Sequence, residues 1–237
     1  MIKKALEYIV GLNQPDVREI NGQTYSDKEL HRISHNPKAD CIEMNSLTSL
    51  IDYIRSGFDS FGPAFVHIVS PTKVKLYTAL DVDRERESLV VVNAQVPSFR
   101  FNEFISHEEF CINLQSKFLD GPDRALLLQF AGTVEAGSIA QYGDDGVTQK
   151  ATIKTGVASK ADAVVPNPVS LAAYRTFAEV EQPTAQYIFR MKQGGTGAVT
   201  CALFTADGEA WQIEAKEAIR NYLNENLEDV PGLTIIS

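Results

Sequence analysis

Apolar residues along this chain recur at two spacings, and the switches between them divide the sequence into helices and strands. Ile2, Leu6, Ile9 and Val10 fall on one side of a helix. Asn21-Gly22 within REINGQTYSD is a strong signal for a two-residue β-hairpin, because both residue types tolerate positive φ. Residues 40–44 read as a short strand. Ser46 supplies an N-cap, Leu47, Leu50, Ile51 and Ile54 form a helical stripe, and Gly57 provides the stop. AFVHIV, KVKLYTAL and SLVVVNAQV follow as strands. Their connections, Ser70-Pro71-Thr72 and DVDRERE, are short enough to favour antiparallel pairing. The continuous run at Val91 and Val92 predicts burial on both faces.

Ser106-His107-Glu108-Glu109 has the spacing of a capping box and opens a helix with Phe110, Cys111, Leu114 and Phe118 inward. Asp120-Gly121-Pro122 ends it. Pro122, at a first helical position, starts another whose apolar side is Leu126, Leu127 and Phe130. GSIAQY and VTQKATIKTG flank Gly143-Asp144-Asp145-Gly146 as a hairpin. Pro166 and Pro168 cannot donate to a ladder, so residues 160–168 read as a loop, followed by a strand near 171–177. Residues 186–192 and 198–205 flank the glycine-rich 193–197 as a second hairpin. Tyr187, Phe189 and Met191 share one of its faces, and Ile188, Arg190 and Lys192 the other. Asp207-Gly208 leads into a long helix with Trp211, Ala215, Ala218, Ile219, Tyr222 and Leu223 inward. LTII near the end of the chain reads as a short strand.

These elements predict an α+β fold: mixed antiparallel sheets, several helices, and a C-terminal helix packed on a sheet. The expected division is an N-terminal α/β region over 1–104 and a C-terminal α+β region over 105–237. No Gly/Ser linker parts them, so they can form one continuous body.

The 237 residues suffice for one large domain or two small ones. No apolar run approaches the roughly 18 residues of a membrane span, and Glu7 interrupts the first apolar stretch, which reads as an amphipathic helix rather than a signal peptide. Cys41, Cys111 and Cys201 lie far apart with no Cys-x-x-Cys, the usage expected of three buried, reduced thiols in the cytoplasm. The net charge of −9 argues against non-specific nucleic-acid binding, which depends on Lys and Arg releasing phosphate counterions. The charge is uneven, however. Val147 to Gln193 carries +3 and the remainder −12.

Candidate chemistry narrows quickly. His31 and His35 have a metal-ligand spacing, but Asn36-Pro37 stops a helix there and the Glu of HExxH is missing. The glycine-rich 193–197 lacks the Lys-Ser/Thr of a phosphate loop. The acids of DVDRERE lack the glycine bend of a calcium loop. No G-x-S-x-G elbow or recognisable nucleophilic cysteine is present, so no catalytic residue, metal or cofactor is assigned. Lys150, Lys154, Lys160, Arg175, Arg190 and Lys192 remain, on or beside predicted strands. If their faces match, they form an anion-binding strip.

ATIKTG, PNPVSLAAYRTFAEVEQPTAQYIFRM and ALFTADGEAWQIEAKEAIRNYL together resemble the C-terminal half of tailed-bacteriophage and prophage proteins of the YfdQ-like type, over roughly residues 100–237. The resemblance implies a phage-encoded protein acting in the cytoplasm of a bacterial host, and implies no catalytic residues. The leading expectation is a non-enzymatic accessory protein that binds an anionic, nucleotide-like small molecule or a host protein and so counters host defence. Alternatives are a single-stranded DNA-associated factor in phage replication or recombination, or a virion component. Open strand edges predict a homo-oligomer, and no membrane partner is expected.

Overall fold

The computed structural model describes residues 2–11, 15–29, 38–133, 150–154, 160–164, 167–193 and 198–237. The chain divides into two units, Met1–Ala39 and Asp40–Ser237. His31 and His35, the Gly143–Gly146 turn and the 194–197 turn lie outside the described residues.

In the first unit, helix α1 spans Ile2–Gly11, and strands β1 (Val17–Ile20) and β2 (Gln23–Ser26) pair antiparallel. Asn21 and Gly22 both adopt positive φ, 54° and 75°, as the two-residue turn requires.

The second unit begins with β3 (Ile42–Met44) and α2 (Leu47–Ser56). The Ser46 hydroxyl accepts the Ser49 N–H, and Gly57 closes the helix in the left-handed region. Next come β4 (Ala64–Ser70), β5 (Lys73–Thr78) and β6 (Ser88–Asn93). Then follow β7 (Ile105–Ser106), α3 (His107–Ser116), α4 (Pro122–Thr133), β8 (Lys150–Lys154) and β9 (Lys160–Val164). The unit closes with β10 (Val169–Ala172), β11 (Thr184–Gln193), β12 (Val199–Thr205), α5 (Trp211–Leu227) and β13 (Leu233–Ile236). Helices and largely antiparallel sheets make the fold α+β, and α5 packs on the sheet that holds β4.

A five-stranded sheet runs β13-β4-β5-β6-β3, and a four-stranded sheet runs β10-β11-β12-β7. The tight turn at Pro71-Thr72 makes β4 and β5 antiparallel, whereas β13 and β3 join the edges in parallel. Both α5 and β13 therefore return to the sheet begun before residue 104, across the expected boundary. Burial in β6 alternates: Val90 and Val92 are fully buried while Val91 is half-buried, so one face of the sheet is covered more completely than the other.

Several expectations need correction. Residues 160–164 are strand β9, not loop, because the prolines lie beyond it. Leu126 is exposed, since Leu127, Phe130 and Ala131 occupy the buried side of α4. Of the three thiols only Cys201 is buried; Cys41 is exposed and Cys111 partly so. Ser106 caps α3 as expected, but the Glu109 carboxylate pairs with Arg100 at 2.6 Å. No described helix is long and apolar enough to cross a membrane.

A buried cation in an aromatic cleft

A cleft of about 420 Å³ opens in the second unit. Its walls come from the connection after β6, the segment leaving β10, the end of β12, and the start of α5. Each wall is fastened locally. Asn102 takes a positive φ of 64°, its N–H donates to the Leu203 carbonyl, and its side-chain oxygen accepts the Thr205 N–H. This ties the connection to β12 and turns Phe99 and Phe101 inward. Phe99 packs edge-on against Phe101 and Phe118 at 4.6 and 5.1 Å, and Phe101 stacks on Tyr187 at 5.4 Å.

The segment after β10 is held by one buried side chain. Gln182 accepts from the N–H groups of Arg175 and Thr176 and donates to the carbonyls of Phe177 and Val180. The Thr176 hydroxyl donates to Pro71 O at 2.5 Å. The backbone of Arg175 is therefore positioned before any ligand arrives.

Arg175 is only 8% exposed. Its guanidinium carbon lies 4.2 Å from the Phe101 ring centre, 4.6 Å from Trp211 and 5.2 Å from Tyr187. Nη1 is buried without a hydrogen-bond partner, and the guanidinium forms no ion pair among the described residues. Cation–π attraction engages the face of the group, whereas its hydrogen bonds run in its plane, so its fork of donors is unused. Burial pushes the Arg175 pKa down, opposed by Tyr187, Asp207 and Glu209. Lowering the pKa of a cation means that folding disfavours its charged form. Arginine is charged in both folded and unfolded chains at ordinary pH, so this is a stability cost throughout that range.

Two further orphaned atoms belong to groups that act electrostatically on Arg175: the Tyr187 hydroxyl and Asp207 Oδ2. Burial raises the Tyr187 phenol well above its usual range, against the pull of the Arg175 charge. Asp207 Oδ1 accepts the Glu209 N–H. Glu209, at a positive φ of 65°, lines the cleft beside Trp211. Lys117 also lines it and donates to the Ser98 carbonyl at 2.5 Å.

Of the six basic residues singled out in the sequence, Arg175 alone lines this cleft. It does not decorate an exposed sheet face. Lys150, Lys154 and Lys160 sit on the separate β8-β9 ribbon, where Lys154 is opposite Lys160 and Lys150 opposite Val164. Arg190 and Lys192 share the outer side of β11, which is flanked by β10 and β12. Lys192 Nζ sits 4.0 Å from the centre of the Phe104 ring. The six residues are therefore not one strip of a single sheet.

A larger, more open hollow of about 520 Å³ beside β13 is lined by apolar residues and Arg86, whose guanidinium covers Phe65 at 4.9 Å. It holds none of the orphaned polar atoms. The cleft at Arg175 is the stronger candidate because a buried, unpaired cation calls for an anion.

Sequence reasoning missed Phe99, Phe101, Lys117, Gln182, Asp207 and Glu209. The i, i+2 spacing of Phe99 and Phe101 in SFRFNEF was a usable signal, since it sets both rings on one side of an extended chain. Compared with protein-family models, curated proteins and solved structures, the chain matches none.

Proposed function

We propose that this protein works by binding, and that it captures in the cleft around Arg175 a small molecule combining a ring with an acidic group, the class to which nucleotides and aromatic acids both belong. One observation carries the reading: a nine-tenths buried arginine whose guanidinium forms no ion pair among the described residues and whose Nη1 is buried without a partner, at the edge of an aromatic-lined cavity. An apolar side chain would fill the same space without the desolvation cost, so retention of the charge points to a partner that neutralises it. The planar fork matches the two oxygens of a carboxylate or phosphate. The surrounding rings offer a stacking surface.

The resemblance to phage and prophage proteins supplies the biological setting of this proposal. A phage product that sequesters such a molecule in the host cytoplasm would blunt a host defence that signals or acts through it. Self-association through open sheet edges belongs to the same proposal. A monomer mass by light scattering across micromolar concentrations would remove that part.

Trp211 is the only tryptophan in the chain and lines the cleft, so its fluorescence reports occupancy directly. Titration with 3-phenylpropionate and with adenosine monophosphate, excited at the red edge of indole absorption, should give a saturable change for at least one probe. Arg175→Met should abolish that change. Absence of any saturable response, or the same response in the variant, would refute the proposal.

A further inference from the structure

The acids around Arg175 sharpen the ligand class. We infer that the cleft takes a zwitterion of the aromatic amino-acid class: a ring against Phe99, Phe101 and Trp211, one acidic group on Arg175, and one ammonium or amine facing Glu209. The inference rests on the proposed binding function and narrows it.

Charge balance carries the first step. Arg175 and Lys117 are the cations of the site. Glu209 is the acid that lines it. Lys117 is already bonded to the Ser98 carbonyl, which leaves Arg175 and Glu209 as one group of each sign. A nucleoside triphosphate, with three or four negative charges, would meet a carboxylate and too few cations. A zwitterion brings one charge of each sign and meets one group of each sign.

Geometry carries the second step. Neither Asp207 nor Glu209 forms an ion pair with Arg175 among the described residues, although Glu209 lines the same cleft. Arg175 Nη1, a donor, and Asp207 Oδ2, an acceptor, are each buried without a partner, and Glu209 faces the same cleft as Arg175. The turn that presents the acids is fixed: Asp207 Oδ1 accepts the Glu209 N–H, and Glu209 Oε2 accepts from Gln212 at 2.7 Å. A ligand with an acid at one position and an amine at another meets both Arg175 and Glu209 in the cleft, and a simple anion meets only the first. The cavity of about 420 Å³ lies toward the small end of ligand pockets, suited to one ring with a short polar tail.

The test is isothermal titration of the full chain with five probes: phenylalanine, 3-phenylpropionate, phenethylamine, adenosine monophosphate and ATP. Phenylalanine should bind at least tenfold more tightly than 3-phenylpropionate, which lacks the amine, or phenethylamine, which lacks the acid. ATP should be the weakest of the acids. Glu209→Gln should bring phenylalanine close to 3-phenylpropionate while leaving the latter unchanged or tighter, a pattern that mere unfolding would not give. If phenylalanine and 3-phenylpropionate bind equally, or a nucleotide binds best, and Arg175→Met abolishes that binding, the zwitterion inference falls while the anion-binding function stands. If no acidic probe binds in an Arg175-dependent way, both fall.

Discussion

The two larger sheets of the second unit bury their inner faces in different ways. The five-stranded sheet covers itself with aliphatic side chains: Leu47, Leu50, Val66, Ile68, Val74, Leu76, Val90 and Val92 are each fully buried. The four-stranded sheet is filled largely by rings, with Phe110, Phe118, Tyr187 and Phe189 at 0–1% exposure. Of the five buried polar atoms that lack a partner among the described residues, three belong to Arg175, Tyr187 and Asp207 beside this aromatic core. Aliphatic packing optimises a fold and offers a ligand nothing. Rings edged by unsatisfied donors and acceptors give up stability locally and leave recognition chemistry in place. One sheet is scaffold, and the other carries the cleft.

The largest effects should show that the two cores are alike in strength. Phe189→Ala removes a ring stacked on Phe110 at 5.3 Å and should cost about 3–5 kcal/mol, while Leu50→Ala should cost about 2–5 kcal/mol. Denaturant unfolding measures both. A value under about 1 kcal/mol for either would show that core to be loosely packed. Next comes Gln182→Leu, which strands buried N–H and carbonyl groups at once and should cost about 2–4 kcal/mol. Its wild-type hydrogen bonds hold the Arg175 segment, so probe binding should weaken as well. Retained binding would separate the loop from the cleft. Trp211 is half-buried, so Trp211→Ala should cost only about 1–2 kcal/mol, less than a fully buried ring. The smallest stability loss is expected on the surface. Arg100→Ala breaks an exposed pair with Glu109 and should cost less than about 1 kcal/mol without altering binding.

The same contrast governs what the sequence made legible. The α2 stripe at Leu47, Leu50, Ile51 and Ile54, its Ser46 and Gly57 caps, and the alternation of β11 all follow from local spacing and appear as expected. Scaffold is periodic, and periodicity can be read from one chain. The cleft is not periodic. It joins Phe101, Arg175, Glu209 and Trp211 from three separate stretches, none of which holds its cleft residues at helix or strand spacing throughout. Arg175 was singled out because it is basic, yet its burial depends on rings 74 residues before it and 36 after it. Lysines 150, 154 and 160 attracted notice for the same reason, although the pairing of β8 with β9 sets them on a ribbon apart from β11. Charge alone does not distinguish a solvated residue from a buried one. Register and tertiary packing do, and one sequence does not contain them explicitly.

The central claim is that Arg175 is kept for a ligand and not for the fold. The most direct test is the unfolding free energy of Arg175→Met, measured beside probe binding by Trp211 fluorescence. Removing a buried, unpaired charge relieves its desolvation, while the lost cation–π contacts oppose that gain. The account predicts stability unchanged within about 1 kcal/mol or raised, together with complete loss of binding. A loss of stability above about 2 kcal/mol with binding retained would show the guanidinium to be a structural strut between rings, and would contradict the account.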